Sequence, residues 1–483
     1  MNEVLQDEGD VPVLYASGVS PSPEYWYKKR DAMLFVLLLL ILVQSISILI
    51  PPFQSPDEVN HIKRAYTLAH GSWLPTLKGN SAGGEVDTGL LAYTEFFSAL
   101  PFDYAAKENR ATLARTENIK WTSKRAYSDF SNTALYFPVP YLPQALALNL
   151  GENLHLPVSA SYSLARSFSL AATLAVILCA LLVYPVPLLP IAVFLLPMTL
   201  FQMASASMDS VCFSISLLAA SLFTRGCDRD FTFRPLLHCA LWLCLIILAT
   251  VRQNLFCFTL LPVALYPVRR SKTYFWSAGI AFLLAIMWPL YLTHGVSITS
   301  PYNITPREIG EFYLGHPLVL LSIIVKTVTN SALLISWRDS FIGTLGGLDT
   351  PLSAIAYDVL TVLLILLTLI TFRWPKERIL RLACISLVSE GVVAILVLFF
   401  LMLVIWTPRQ ADFIQGVQGR YFVPILLLVG VPLFSGPISP IRKTLGLFIV
   451  LILLQVSLMS TSSALIGRYW LSSLERAPSL GVA

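Results

Sequence analysis

Asp57 and Glu58, followed by His61 and Arg64, stand in the stretch PPFQSPDEVNHIKRAYTLAHG (51–71). In a helix, positions 57, 61 and 64 share one face, presenting a carboxylate, an imidazole and a guanidinium together. Such a face can take a proton from a hydroxyl, the work of a general base, beside a held anion. The same residues also read as a helix start. Ser55 would be the N-cap, Pro56 the first helical residue and Glu58 the acid that reaches back. Gly71 would close the helix after His70. The cap accounts for Glu58 and tolerates Asp57, so both readings stand side by side. Asp57, Glu58 and His61 could also recruit a divalent cation, although no third ligand at fixed spacing accompanies the Asp57–His61 pair.

Three arginines complete the set: Arg166 in SLARSFS, Arg252 in TVRQN, and Arg420, followed by Tyr421, in QGRYFVP. Each could merely snorkel. Together near one membrane face they suggest a bound phosphate, which a guanidinium fork matches with two parallel hydrogen bonds. Arg166 falls inside an apolar run, where an ionisable group is a functional candidate by default. Asp209 in SASMDS reads as the start of a helix capped by Ser207. No G-x-G-x-x-G or P-loop pattern is present, so no nucleotide site is predicted. The seven cysteines show no C-x-x-C spacing, which argues against a zinc or thiol-redox centre.

The elements that must position these residues are membrane helices. The chain is 56% hydrophobic and only 13% charged, with mean hydropathy +0.70. A soluble domain carries about twice that share of charge. The reading is an all-α integral membrane protein with about eleven spans, each built from roughly 20 apolar residues. They are placed at 31–50, 160–184, 186–203, 208–224, 235–250, 254–268, 274–293, 355–372, 383–406, 422–434 and 443–464. Short basic clusters at 28–30, 225–234, 269–272, 373–381 and 442–443 mark the cytoplasmic side. That parity puts 1–30 in the cytoplasm as an N-terminal segment, with no signal peptide. It leaves 51–159, 294–354 and 407–421 as external loops of a domain covering 31–466, and a tail, 467–483, that ends outside. It also forbids 135–150 and 317–336 from crossing; these should be re-entrant or interfacial helices. Ionisable residues then gather toward the outer leaflet. No basic run beyond KKR exists to follow a nucleic-acid backbone, so the partner is membrane lipid rather than nucleic acid.

The motifs PPFQSPDEVNHIKRAYTLAHG, YFPVPYLPQALALNLG, SASMDS, GTLGGLDTPL and QGRYFVP, in this order over residues 31 to about 460, resemble a bacterial family of polytopic membrane proteins long labelled a domain of unknown function. That family is similar in plan to the GT-C superfamily of polyprenyl-phosphate-dependent glycosyltransferases, and in size and layout to the phage-type O-antigen glucosyltransferases (Gtr). The resemblance implies a GT-C-like bundle and a catalytic acid at Asp57 with Glu58 beside it. It further implies a polyprenyl-phosphate sugar as donor, with Arg420 near its phosphate, and a glycan acceptor such as lipopolysaccharide. The chain departs from the pattern at Gly347, where an aromatic is frequent; Asp349, two residues on, is kept as a weak site candidate. The expected activity is inverting glycosyl transfer at the periplasmic face of the inner membrane. Asp57 would be the base, Arg420, Arg252 and Arg166 would bind the donor phosphate, and His61, Arg64 and Tyr421 would line the site. No cofactor is required, though a divalent cation remains compatible. The rival classes are a flippase of lipid-linked saccharides, an O-antigen polymerase or ligase, and a non-catalytic scaffold.

Overall fold

The computed structural model describes residues 29–79, 81–293, 305–375, 377–409 and 411–471. Most of the expected cytoplasmic segment 1–30 and of the tail 467–483 lies outside the described residues. The chain enters the bundle through α1 (Lys29–Leu49) and leaves it at once for a long loop region. That region holds α2 (Glu58–Ala69), β1 (Thr76–Lys78), β2 (Ser81–Asp87), α3 (Thr88–Glu95), α4 (Arg110–Thr116), β3 (Arg125–Asp129), α5 (Ser131–Ala134) and α6 (Leu142–Asn153). The three strands form an antiparallel sheet in the order β1-β2-β3. The sequence reading foresaw helices only. Gly84 allows the sheet to sit directly on α2, because a Cβ there would come within 2.6 Å of Thr67 Cγ2.

The rest is a helical bundle. It continues with α7 (Val158–Val183), α8 (Leu188–Phe194), α9 (Pro197–Met203), α10 (Asp209–Cys227) and α11 (Pro235–Val251). A 3-10 helix (Gln253–Leu265) leads to α12 (Tyr266–Arg269) and α13 (Thr273–Thr293). Then come α14 (Pro306–Gly315), α15 (Pro317–Thr329), α16 (Ser331–Ile342), α17 (Ala354–Thr371) and α18 (Arg378–Trp406). A short 3-10 turn (Gly419–Phe422), α19 (Val423–Leu433) and α20 (Pro440–Tyr469) complete it.

Each of the eleven expected spans falls largely on helical residues, but fewer than eleven can cross a bilayer. Among the described residues seven helices are long and apolar enough to cross a bilayer: α1, α7, α10, α13, α17, α18 and α20. The other four expected spans are short or broken, and proline explains much of this. The 186–203 segment splits at Pro197, which opens α9, since proline starts a helix readily but cannot continue one. The 254–268 segment is largely 3-10 with Pro262 inside it. Segment 135–150 forms part of a turn and α6, 12 residues long, which at 1.5 Å per residue is too short to span. Segment 317–336 falls in α15 and the start of α16; α14 and α15 meet at 103°, a broken span or a re-entrant loop.

α10 is buried along almost its whole length and joins two apolar cores. One gathers α1, α8, α17 and α20; the other gathers α2, α6, α11 and the long 3-10 helix. Outward faces carry exposed apolar residues such as Ile355, Leu369, Met287 and Ile441, as a lipid-facing surface should. One carboxyl lies within a bundle helix, away from both ends. Glu390 lies near the midpoint of α18, inside the run read simply as apolar.

Candidate active site

α2 opens differently from the expected capping box. Its first residue is Glu58, and Asp57 occupies the cap position with φ 60° and ψ 6° and no side-chain cap bond. Pro56 is therefore outside the helix. Half of the box survives: Glu58 Oε2 accepts from the Ser55 backbone N–H at 3.2 Å. The Ser55 hydroxyl instead donates to Gln202 Oε1 at 3.1 Å. The left-handed backbone at Asp57 costs a residue with a Cβ about 1 kcal/mol or more, and Asp and Asn tolerate it best among non-glycine residues. The helix closes as expected, with Gly71 at φ +83°.

The two neighbouring carboxylates have opposite surroundings. Glu58 is buried and saturated. Its Oε1 accepts from the Tyr162 hydroxyl at 2.8 Å, the Ala206 N–H at 2.8 Å and Arg166 Nε at 3.2 Å. It thereby ties α2 to α7 and to the α9–α10 turn. Arg166 is equally committed, donating through Nη1 to the Ile50 carbonyl at 3.0 Å and through Nη2 to that of Pro51 at 3.1 Å. Placed so, Arg166 is a strut between the end of α1 and the start of α2. Each of its three guanidinium nitrogens holds a protein acceptor.

Asp57, in contrast, is 45% exposed at its side chain and lies 3.6 Å from Arg420 Nη2. Asn132 Nδ2 donates to its other oxygen at 2.7 Å, and Asn60 holds Asn132 in turn at 2.8 Å. Arg420 continues inward: Nη1 donates to Asp209 Oδ2 at 3.0 Å and Nε to Gln418 Oε1 at 2.7 Å. Asp209 Oδ1 accepts from Arg252 Nη2. The helix starts of α2, α10 and α19 and the end of α11 thus meet in one alternating chain, Asp57–Arg420–Asp209–Arg252. Asp209 is 1% exposed, against 16% for Arg252, so incoming ligands can reach Asp57 and Arg252 but not the carboxylate between the arginines. Ser207 is not the cap of α10; that position is Met208, without a side-chain bond. Asp209 is the site residue the sequence reading missed. Its signal was present, an acid opening an apolar run, but helix-start logic absorbed it.

Aromatic and imidazole groups close the chain's flanks. The Arg252 guanidinium sits 5.2 Å from the Tyr421 ring centre and 5.9 Å from that of Tyr136; Arg420 is 5.4 Å from Tyr421. His61 Nδ1 and the Tyr141 hydroxyl are 2.8 Å apart. Burial pushes the His61 imidazole down to about 3, an effect that Asp57 opposes and Arg252 and Arg420 reinforce. It is therefore neutral at physiological pH and serves as a hydrogen-bonding wall rather than a charge. Burial also keeps the Tyr141 phenol protonated, raising it well above its ordinary value.

Two candidates fall elsewhere. Arg64 turns away and donates to the carbonyls of Ser72 at 3.0 Å and Trp73 at 2.6 Å, tying down the exit of α2. Asp349 belongs to a separate ion pair, its Oδ2 accepting from Arg468 Nη2 at 3.0 Å and from the Phe102 N–H at 2.9 Å. A Cβ on Gly347 would lie 3.7 Å from Phe102, so Phe102 stands over the place where the family pattern often has an aromatic. No group of three or more His, Cys, Asp or Glu side chains able to hold a metal occurs among the described residues.

The model of the family described as "Predicted membrane protein (DUF2142)" matches residues 38–429. The chain is also similar to the solved structure described as "Crystal Structure of ArnT from Cupriavidus metallidurans bound to Undecaprenyl phosphate". That likeness has TM-score 0.41 and 10% identity, covering 92% of this chain and 77% of that one. No curated protein sequence matches.

Proposed function

The chain belongs to the DUF2142 family of predicted membrane proteins, and from its own geometry we propose that it is a membrane glycosyltransferase of GT-C type. It moves a sugar from a polyprenyl-phosphate donor to a cell-surface glycan, with lipopolysaccharide O-antigen as the first acceptor to try, at the periplasmic face of the inner membrane. The observation that carries this reading is the exposed Asp57 carboxylate 3.6 Å from Arg420, in line with Asp209 and Arg252.

The acceptor hydroxyl gives its proton to Asp57 as its oxygen bonds to the anomeric carbon of the donor. The bond from that carbon to the phosphate oxygen breaks on the opposite side, so configuration inverts. Arg252, the more open cation, meets the phosphate first; Arg420, held from behind by Asp209, stabilises the charge that grows as the phosphate leaves. The phosphate competes with Asp57 for Arg420, so donor binding loosens the resting ion pair and frees the carboxylate for the acceptor. Glu58 and Arg166 keep the α2 entry rigid, which fixes Asp57 without taking part in the transfer.

Membranes containing the protein, supplied with a panel of polyprenyl-phosphate sugars and lipopolysaccharide, should show sugar transfer that Asp57→Asn abolishes. Transfer retained in that variant would refute the base assignment. Transport of lipid-linked saccharides is the second reading, favoured by Glu390 at membrane depth; it predicts that lipid-linked sugar still crosses the membrane in Asp57→Asn.

A further inference from the structure

The long 3-10 helix Gln253–Leu265 starts beside Arg252 and packs against α18, but toward its α12 end the two leave a gap. A 3-10 helix is a tighter cylinder than an α-helix, and Pro262 interrupts its hydrogen bonding. The gap between them is a cavity of about 450 Å³, within the range of sites for small organic molecules. Its walls are apolar: Leu260, Val263, Ala264, Pro267, Leu382 and Ala383 are among its lining residues. They run from the α12 end of the 3-10 helix and from the Arg378 end of α18, the leaflet opposite the Asp57 cluster.

One side chain breaks the apolar lining. Glu390 lines the cavity together with Ser386, one turn earlier on α18. Its Oε1 accepts from the Ser386 hydroxyl at 3.0 Å, but its Oε2, though shielded from solvent, has no hydrogen-bond partner. The Cys257 thiol donates to the Glu390 main-chain oxygen at 3.2 Å and so does not relieve the carboxyl. A buried oxygen left without a donor is costly, and a carboxyl at membrane depth ordinarily has a partner or a task. Helix packing explains neither its presence nor its unsatisfied oxygen.

We propose that this cavity is a binding site for small lipophilic monoamines, with the ammonium group on Glu390 Oε2 and the hydrocarbon body against the 3-10 helix and α18. The carboxyl and the apolar walls together select for one positive charge on a compact greasy body; an anion is refused, and a neutral alcohol of the same shape offers the carboxyl only an uncharged hydrogen bond, about half as strong as a charge-assisted one. The site is independent of the transferase reading, since none of its lining residues belongs to the Asp57–Arg420–Asp209–Arg252 chain.

The test is calorimetric titration of the purified full-length chain in detergent micelles with 1-aminoadamantane, 1-adamantanol and adamantane-1-carboxylate, three ligands sharing one cage. The amine should bind, the alcohol should bind about tenfold or more weakly, and the carboxylate should not bind. Glu390→Gln should weaken the amine about tenfold or more and leave the alcohol unchanged. Ala264→Phe keeps the carboxyl and fills the cavity, so it should remove binding of both; it also decides the matter if Glu390→Gln does not fold. No amine binding, equal binding of amine and alcohol, amine affinity unchanged by Glu390→Gln, or amine binding retained in Ala264→Phe overturns the proposal. Asp57→Asn should bind the amine normally, which separates this site from the transfer chemistry.

Discussion

Glu58→Gln and Asp57→Asn change adjacent carboxylates by the same atoms and should have opposite consequences. The Glu58 side chain is fully buried and its partner Arg166 is 9% exposed. Removing the charge leaves the guanidinium with the Ile50 and Pro51 carbonyls and an amide where it had a carboxylate. Breaking one side of a buried pair costs about 3–5 kcal/mol, which is about 100-fold or more in the folded-to-unfolded ratio. Asp57 is 45% exposed and its ion pair with Arg420 is 3.6 Å long, so its loss should cost less than about 1 kcal/mol. Asparagine also tolerates the left-handed backbone at this position, which makes it a cleaner probe than alanine. Transfer, however, should fall about 10²–10⁴-fold in Asp57→Asn, the usual share of a general base. Heat-inactivation half-lives of the solubilised variants, read by retained monomeric protein, measure the first effect; sugar transfer in native membranes measures the second. A Glu58→Gln protein as heat-resistant as the parent, or an Asp57→Asn protein that unfolds early, would refute the division between strut and base.

Arg420→Lys should raise the donor KM and lower kcat, because an ammonium cannot hold Asp209 and a phosphate with one planar fork; unchanged donor kinetics would count against the phosphate role. His61 carries a pH signature. Its imidazole is depressed to about 3 in the folded protein against 6.5 as the ordinary value, so the unfolded chain binds the extra proton first and stability falls as pH drops below 6.5. At about 1.36 kcal/mol per unit, His61→Asn should remove about 2 kcal/mol of acid sensitivity between pH 6.5 and 5, visible as a flatter dependence of heat-inactivation rate on pH. Gly346→Ala should destabilise the chain without changing donor affinity: the residue has φ +65° and a new Cβ would fall 2.1 Å from Asp349 Oδ1. Normal thermal stability of that variant would mean the Asp349–Arg468 knot is dispensable.

The apolar runs made the bundle legible, because a bilayer demands contiguous apolar length and the chain supplies it locally. Asp57, Arg252 and Arg420 were noticeable as candidates, since a charge beside an apolar run stands out whatever it contacts, and the structure brings these three together. The three-stranded sheet was not: β1 is a fully exposed three-residue strand and β2 contains two glycines, so neither shows the alternation that marks a strand. Glu390 escaped notice for a similar reason, a single carboxyl in a helix of 29 residues.

The sequence alone determined that this chain lives in a membrane, where its helices turn, and which ionisable groups stand at the turns, because these follow from local composition and the thickness of a bilayer. Only the tertiary structure decided which of those groups remain open to a ligand. Arg166 and Arg252 look alike in sequence, yet one is consumed by Glu58 and two carbonyls, and the other keeps an accessible edge beside Tyr421. Asp209 and Asp349 each sit in an ion pair, but only the first joins the arginine that reaches Asp57. Such distinctions depend on which distant helix ends meet, and hydrogen-bond partners contributed from far along the chain leave no mark on the residues that receive them.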